Sequence, residues 1–102
     1  MNNKVLIKLI VPEIDETYDL FVPVNEILWK VEKMIIQSIH DLSGGSLDVQ
    51  KKYILINKVT GYIYPPNITV YDSDIRNASE LLLVSLIYYW HKFKTYGFPY
   101  VF

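Results

Sequence analysis

The side chains able to do chemistry in this chain are few and poorly spaced for it. There is no cysteine, which removes thiolate nucleophiles, thiolate metal ligands and disulfide staples together. The two histidines, His40 and His91, lie far apart, and neither has a ligand-type neighbour at metal-site spacing. Serines occur, but none sits on a recognisable nucleophile elbow or beside a paired base. Ser43-Gly44-Gly45-Ser46 has the glycine content of a phosphate cradle, yet it follows a segment with helical periodicity. A helix C-terminus carries negative partial charge and repels anions, so the glycine pair reads as a helix stop. His40 falls on the outward side of that helix and reads as solvated. The sequence therefore predicts no catalysis, no cofactor and no metal, and it directs attention to surfaces.

At 102 residues the chain fits one domain. With 51% hydrophobic and 21% charged residues it has the composition of a folded globule and not of a disordered chain. A net charge of −1 gives no footprint for nucleic acid. The lysines fall in small groups (Lys30 and Lys33, Lys51 and Lys52, Lys92 and Lys94) that read as solvated surface. Lys4 and Lys8 interrupt the one early apolar run, so no cleavable signal peptide is expected and the reading is cytoplasmic. The sequons at Asn67 and Asn77 then carry no weight. The longest apolar stretch, Leu81 to Trp90, is shorter than the roughly 20 residues of a membrane-spanning helix.

The elements follow from periodicity. From Lys4 to Val11 residues alternate, with Val5, Ile7, Leu9 and Val11 on one face, which marks a strand over a core. Pro12 to Thr17 is a polar turn, and Tyr18 to Val22 reads as the second strand of a hairpin. A helix follows, with Asn25 as N-cap and Glu26 in its first turn. At about 100° per residue, Ile27, Leu28, Val31, Met34, Ile35, Ile39 and Leu42 share one broad face. Leu47 to Lys51 reads as polar loop, Lys52 to Ile56 as a third strand, and Tyr62 to Tyr64 as a short fourth. Ile68 to Ile75 reads as irregular or one helical turn, and Arg76 to Ser79 as a turn. Leu81 to Ile87, apolar on both faces, reads as a central strand. One helix across one mixed sheet is a two-layer α+β domain.

That order, with a long loop before the last strand, resembles ubiquitin. More specifically it resembles the YukD/EsaB ubiquitin-like proteins of Gram-positive type VII secretion systems. The resemblance rests on Asn57-Lys58-Val59-Thr60-Gly61, on Thr69 to Asn77 with its aspartates and Ile75-Arg76-Asn77, and on Glu80-Leu81-Leu82-Leu83-Val84. It covers residues 4 to 87. Ala78 departs from it, since the family often carries glycine there, and a differently shaped turn is expected. The resemblance implies a ubiquitin-like β-grasp fold over residues 1–87, an aromatic C-terminal extension over 88–102, and an accessory role in a secretion machine, by binding secretion-system proteins and without catalysis.

Conjugation or sulfur transfer, the alternative such a fold invites, needs a flexible C-terminal Gly-Gly. The sequence ends Gly97-Phe98-Pro99-Tyr100-Val101-Phe102, so a processed modifier would require truncation. Two apolar surfaces are expected to bind partners instead. On the sheet, Leu6 and Ile10 are expected to share an open outer face with Leu82, Val84 and Leu86. On the helix, Trp29 and Ile36 align opposite the buried face, in one stripe with Lys33 and His40. The aromatic extension either covers one of these surfaces, the favoured reading, or mediates an oligomer contact. A third role is a peripheral membrane contact at the inner face of the cell membrane, through Tyr88, Tyr89, Trp90 and Phe93 beside Lys92 and Lys94.

Overall fold

The structure, a computed structural model, describes residues 3–92. The elements are β1 (Lys4–Val11), β2 (Glu16–Pro23), α1 (Leu28–Leu42), β3 (Tyr53–Asn57), β4 (Glu80–Ser85) and α2 (Leu86–Lys92). They form a mixed four-stranded sheet in the order β2-β1-β4-β3, with α1 packed across one face. This is the ubiquitin-like β-grasp arrangement that the sequence predicts.

Alternation in β1 sends Ile7, Leu9 and Val11 into the core beneath α1. A 3-10 turn, Pro12–Ile14, closes on Asp15 in the left-handed region and pairs β1 with β2 from Val11↔Glu16 onward. The second strand is therefore longer than the expected Tyr18 to Val22, because the turn consumes so few residues. The central strand β4 runs parallel to β1 and antiparallel to β3, through Leu9↔Leu81 and Leu55↔Leu83.

The start of α1 differs from the Asn25 cap expected. Ile27 is the N-cap residue, and no side chain caps the helix. Backbone carbonyls from the following loop do so instead: Leu28 N–H donates to the Ile68 carbonyl at 2.8 Å and Trp29 N–H to that of Pro66 at 3.0 Å. The buried face is also narrower than expected, comprising Leu28, Val31, Ile35 and Ile39. Met34 and Leu42 are exposed, at the β2-side flank and the last residue of the helix respectively. Gly44 and Gly45 end the helix with φ of 67° and 86°. His40, expected in solvent, turns back, and its Nδ1 lies 2.7 Å from the Leu47 carbonyl, to which it donates. That bond holds Leu47 in the core, where polar loop was expected.

The expected fourth strand reduces to a single bridge, Ile56↔Ile63, because Pro65 and Pro66 cannot continue a ladder. The long loop to β4 is irregular, as expected, but it is pinned. Val70 and Ile75 are core residues, and Tyr64 OH donates to Asp74 Oδ1 at 2.6 Å. The Arg76 to Ser79 turn docks on β1, with Leu6 N–H donating to Asn77 Oδ1 and Ala78 N–H to the Leu6 carbonyl, both at 2.8 Å.

Ala78 keeps the backbone conformation that glycine favours, with φ of 71°, so the turn is not reshaped. A Cβ there costs roughly 1–2 kcal/mol. Glycine loses about 0.4–1 kcal/mol of that advantage through its freer unfolded chain. Ala78→Gly is expected to stabilise the protein by about 0.5–1 kcal/mol in chemical denaturation. An unchanged or lower midpoint would show that the turn carries no strain.

Candidate protein-interaction surfaces

Two surfaces were indicated by the sequence, and they lie on opposite sides of the sheet. The outer face collects the even positions of β1, which pair Leu6 with Phe21, Lys8 with Asp19 and Ile10 with Leu82. The expectation that this whole face is open requires correction. Leu82 and Val84 do point outward, but only 7% and 0% of their surface reaches solvent. With Ile56 they form a second small core, against which Ile10, Ile54, Ile63, Tyr88 and Tyr89 pack. The cover is α2. The last strand ends at Ser85, two residues short of Ile87, and the chain turns into a helix that lays its two tyrosines on the sheet. Leu86 is accordingly the exposed first residue of that helix and not a strand position.

Residues missed in the sequence build this corner. Ser85 N–H donates to Glu13 Oε1 at 2.6 Å, and Ser85 Oγ–H to Glu13 Oε2 at 3.0 Å. Ser85 Oγ in turn accepts from Tyr88 N–H at 3.2 Å, which makes it the N-cap of α2. Glu13 also faces Lys51 Nζ at 3.7 Å. The 3-10 turn after β1 thus fixes the point where β4 becomes helix. A Ser before an aromatic run was the available signal, but a partner 72 positions away was not legible.

The rest of the outer face is open. Leu6 is 39% exposed and Phe21 opposite it 64%. Leu6 borders a shallow depression of about 450 Å³ with Lys8, Asp19, Asn77 and Glu80. Here the apolar pair meets a polar rim.

On the other side, Trp29 and Ile36 do come together, along a groove of about 410 Å³ between α1, the segment before β3, and Pro66. Trp29 is exposed, with Lys30 Nζ 5.5 Å from its ring centroid, whereas Ile36, expected opposite the buried face, is half-buried against the main core, because it borders the apolar arc of α1. Between them lies Glu32, which the sequence reading passed over. At about 100° per residue Glu32 falls between Ile39 and Ile36, inside the apolar arc. No hydrogen bond or ion pair reaches its carboxylate among the described residues. Desolvation by burial pushes its pKa up from 4.5 to about 7. Lys33, Lys51 and Lys52 stand on the rim of the groove.

Among the described residues no three His, Asp or Glu side chains converge as a metal site, and no helix is long and apolar enough to cross a membrane. Of the aromatic extension, Tyr88 and Tyr89 are packed, while Phe93, Lys94 and the aromatics to Phe102 lie outside the described residues.

No family model and no curated protein matches the chain. Solved structures do. The ubiquitin-like domain of the Mycobacterium tuberculosis type VII secretion system protein EccD1 is 14% identical, with a TM-score of 0.64 over 83% of this chain and 100% of that one. The EccD5 ubiquitin-like domain from Mycobacterium xenopi is 12% identical, with a TM-score of 0.62 over 83% and 97%. A chain of the toluene 4-monooxygenase HD complex with inhibitor 4-bromobenzoate is 8% identical, with a TM-score of 0.65 over 80% and 98%. Identities this low show a shared fold, which hosts different functions, so function has to be argued from the surfaces.

Two outcomes follow. Val84→Asp buries an unpaired charge and is expected to cost roughly 4 kcal/mol or more, seen as loss of the cooperative thermal transition. Retention of a native melting curve would mean that α2 leaves the face readily. Glu32 has a folded pKa above its unfolded one, so its neutral form favours folding. Its contribution is complete below about pH 4.5 and is lost as pH rises through about 7. Glu32→Gln is therefore expected to melt higher than wild type at pH 8, by on the order of 1–2 kcal/mol given the carboxyl's partial contact with water, and equally at pH 4.5. Parallel pH profiles for the two proteins would contradict this.

Proposed function

We propose that this protein is a non-catalytic, ubiquitin-like accessory component of a type VII secretion apparatus, of the YukD/EsaB kind, acting in the cytoplasm by binding secretion-system proteins. The observation that carries the reading is the divided outer face of the sheet. One half is sealed by α2, and the other presents Leu6 and Phe21 to solvent on a rigid platform. Contiguous apolar side chains with a polar rim have the anatomy of a protein contact. The fold shared with the EccD1 and EccD5 domains supports the secretion context. In this reading Leu6, with Phe21 added, is the contact. Ile10, Leu82 and Val84 hold α2 beside it, and Leu86 sits at the border. Trp29 and Ile36 form a second contact on the helix side.

A peripheral membrane contact has one observation in its favour, the exposed Leu86, Ile87 and Trp90 on α2. Co-sedimentation with anionic vesicles tests it directly, and protein left in the supernatant dismisses it.

The main reading is tested in cells. Deleting the gene is expected to abolish export of WXG-type substrates, and wild type is expected to restore it. A double variant, Leu6→Asp with Phe21→Asp, is expected to fold, since both side chains already stand in water, and to fail to restore export. Normal export in the deletion strain would overturn the secretion assignment. Full rescue by the double variant would overturn the sheet face as the contact.

A further inference from the structure

Glu32 is a costly residue to keep where it stands. Its place on α1 lies in the apolar arc, its carboxylate has no partner among the described residues, and the groove above it opens to solvent. The sheet would accept an aliphatic side chain there with a gain in stability. The groove has the complementary parts of one particular ligand group. Trp29, Ile36 and Pro66 line it with apolar surface, and the carboxylate is recessed between them. A basic side chain has the matching layout, an aliphatic stem with a cation at its tip. The Trp29 ring already keeps a cation, Lys30 Nζ, at 5.5 Å, so the aromatic wall tolerates positive charge.

We infer that this groove receives a single basic side chain, arginine or lysine, from an extended segment of a partner protein, with Glu32 as the counter-charge. The charges around Glu32 set the rest of the partner's chemistry. Lys33 stands on the same helix, Lys51 and Lys52 precede β3, and Tyr53 on β3 is tied to the Asp48 carbonyl at 2.7 Å. Just ahead of α1, Glu26 is matched by Lys30 at 3.9 Å. Lys51 is shared with Glu13, while Lys33 and Lys52 have no partner among the described residues. A run of basic residues would meet repulsion from this rim. One basic residue flanked by acidic ones fits it, the acids pairing with the rim lysines. Entry of the cation requires the ionised carboxylate, so binding strengthens as pH rises through neutrality.

The inference deepens the protein-binding reading and is independent of which machine the protein serves. The probe is the peptide acetyl-Glu-Leu-Arg-Leu-Glu-amide, titrated calorimetrically into the full chain at pH 6 and pH 8, beside the same peptide with Gln for Arg. The expected result is binding that tightens about tenfold between the two pH values, as Glu32 goes from about one-tenth to nine-tenths ionised. Loss of at least tenfold in affinity is expected with the Gln peptide or with Glu32→Gln, which also removes the pH dependence. Trp29→Ala is expected to weaken binding and keep the pH slope. Absence of binding, equal binding of both peptides, or affinity that falls with rising pH overturns the inference. Binding that appears only after removal of residues 93–102 also overturns it, in favour of this chain's own Lys94 as occupant. Leu6→Asp with Phe21→Asp is expected to bind the probe normally, so failure here and failure of the sheet-face contact are distinguishable.

Discussion

The structure depends on one strand that is apolar on both sides. Leu81 and Leu83 of β4 face α1, and Leu82 and Val84 face the other way. A strand of this kind is unstable with either face in water, since each fully buried aliphatic side chain contributes roughly 1.5–3 kcal/mol. One layer of helix satisfies one face. The second face needs its own cover, and the chain supplies it from the residues that immediately follow. Tyr88 and Tyr89 fold back over the strand they have just left. The Glu13–Ser85 pair fixes where that reversal begins. The aromatic segment is therefore, in its described part, a second layer of the domain.

Much of this was legible. Period-two alternation placed β1 and its buried face correctly, and two-sided apolarity identified β4 as central. The paired glycines marked the end of α1. The misses share one cause, contact between residues far apart in sequence. The cap of α1 comes from Ile68 and Pro66 rather than from Asn25. His40 turns inward because Leu47 offers it a carbonyl. Leu82 and Val84 were assigned to the outer face correctly, but the residues that seal them belonged to a segment read as still being strand. Periodicity says which way a side chain points and leaves open what it meets there.

The two surfaces left uncovered differ in physical character. The pair of Leu6 and Phe21 is an exposed apolar patch on a rigid sheet. The groove beside Trp29 contains a carboxylate whose ionisation is opposed by its surroundings. The first is insensitive to pH near neutrality, and the second is poised at it. Under the proposed readings, a domain that carries both holds one partner steadily while its hold on another varies with pH.

The register between β1 and β4 also bears on the order in which the molecule is assembled. Leu9 lies beside Leu81, and Glu13 is bonded to Ser85 across 72 positions. The β1-β2 hairpin can form as soon as it leaves the ribosome, but the seat for its partner strand stays empty until β4, about 70 residues after β1, is made. Parallel pairing between distant segments is slow to nucleate, because loop closure precedes any compensating contact. Throughout that interval Ile7, Leu9 and Val11 present an apolar strand with an unpaired edge. The nascent protein thus passes through a stage more prone to association than its finished form, and that stage ends when the C-terminal strand slots between β1 and β3.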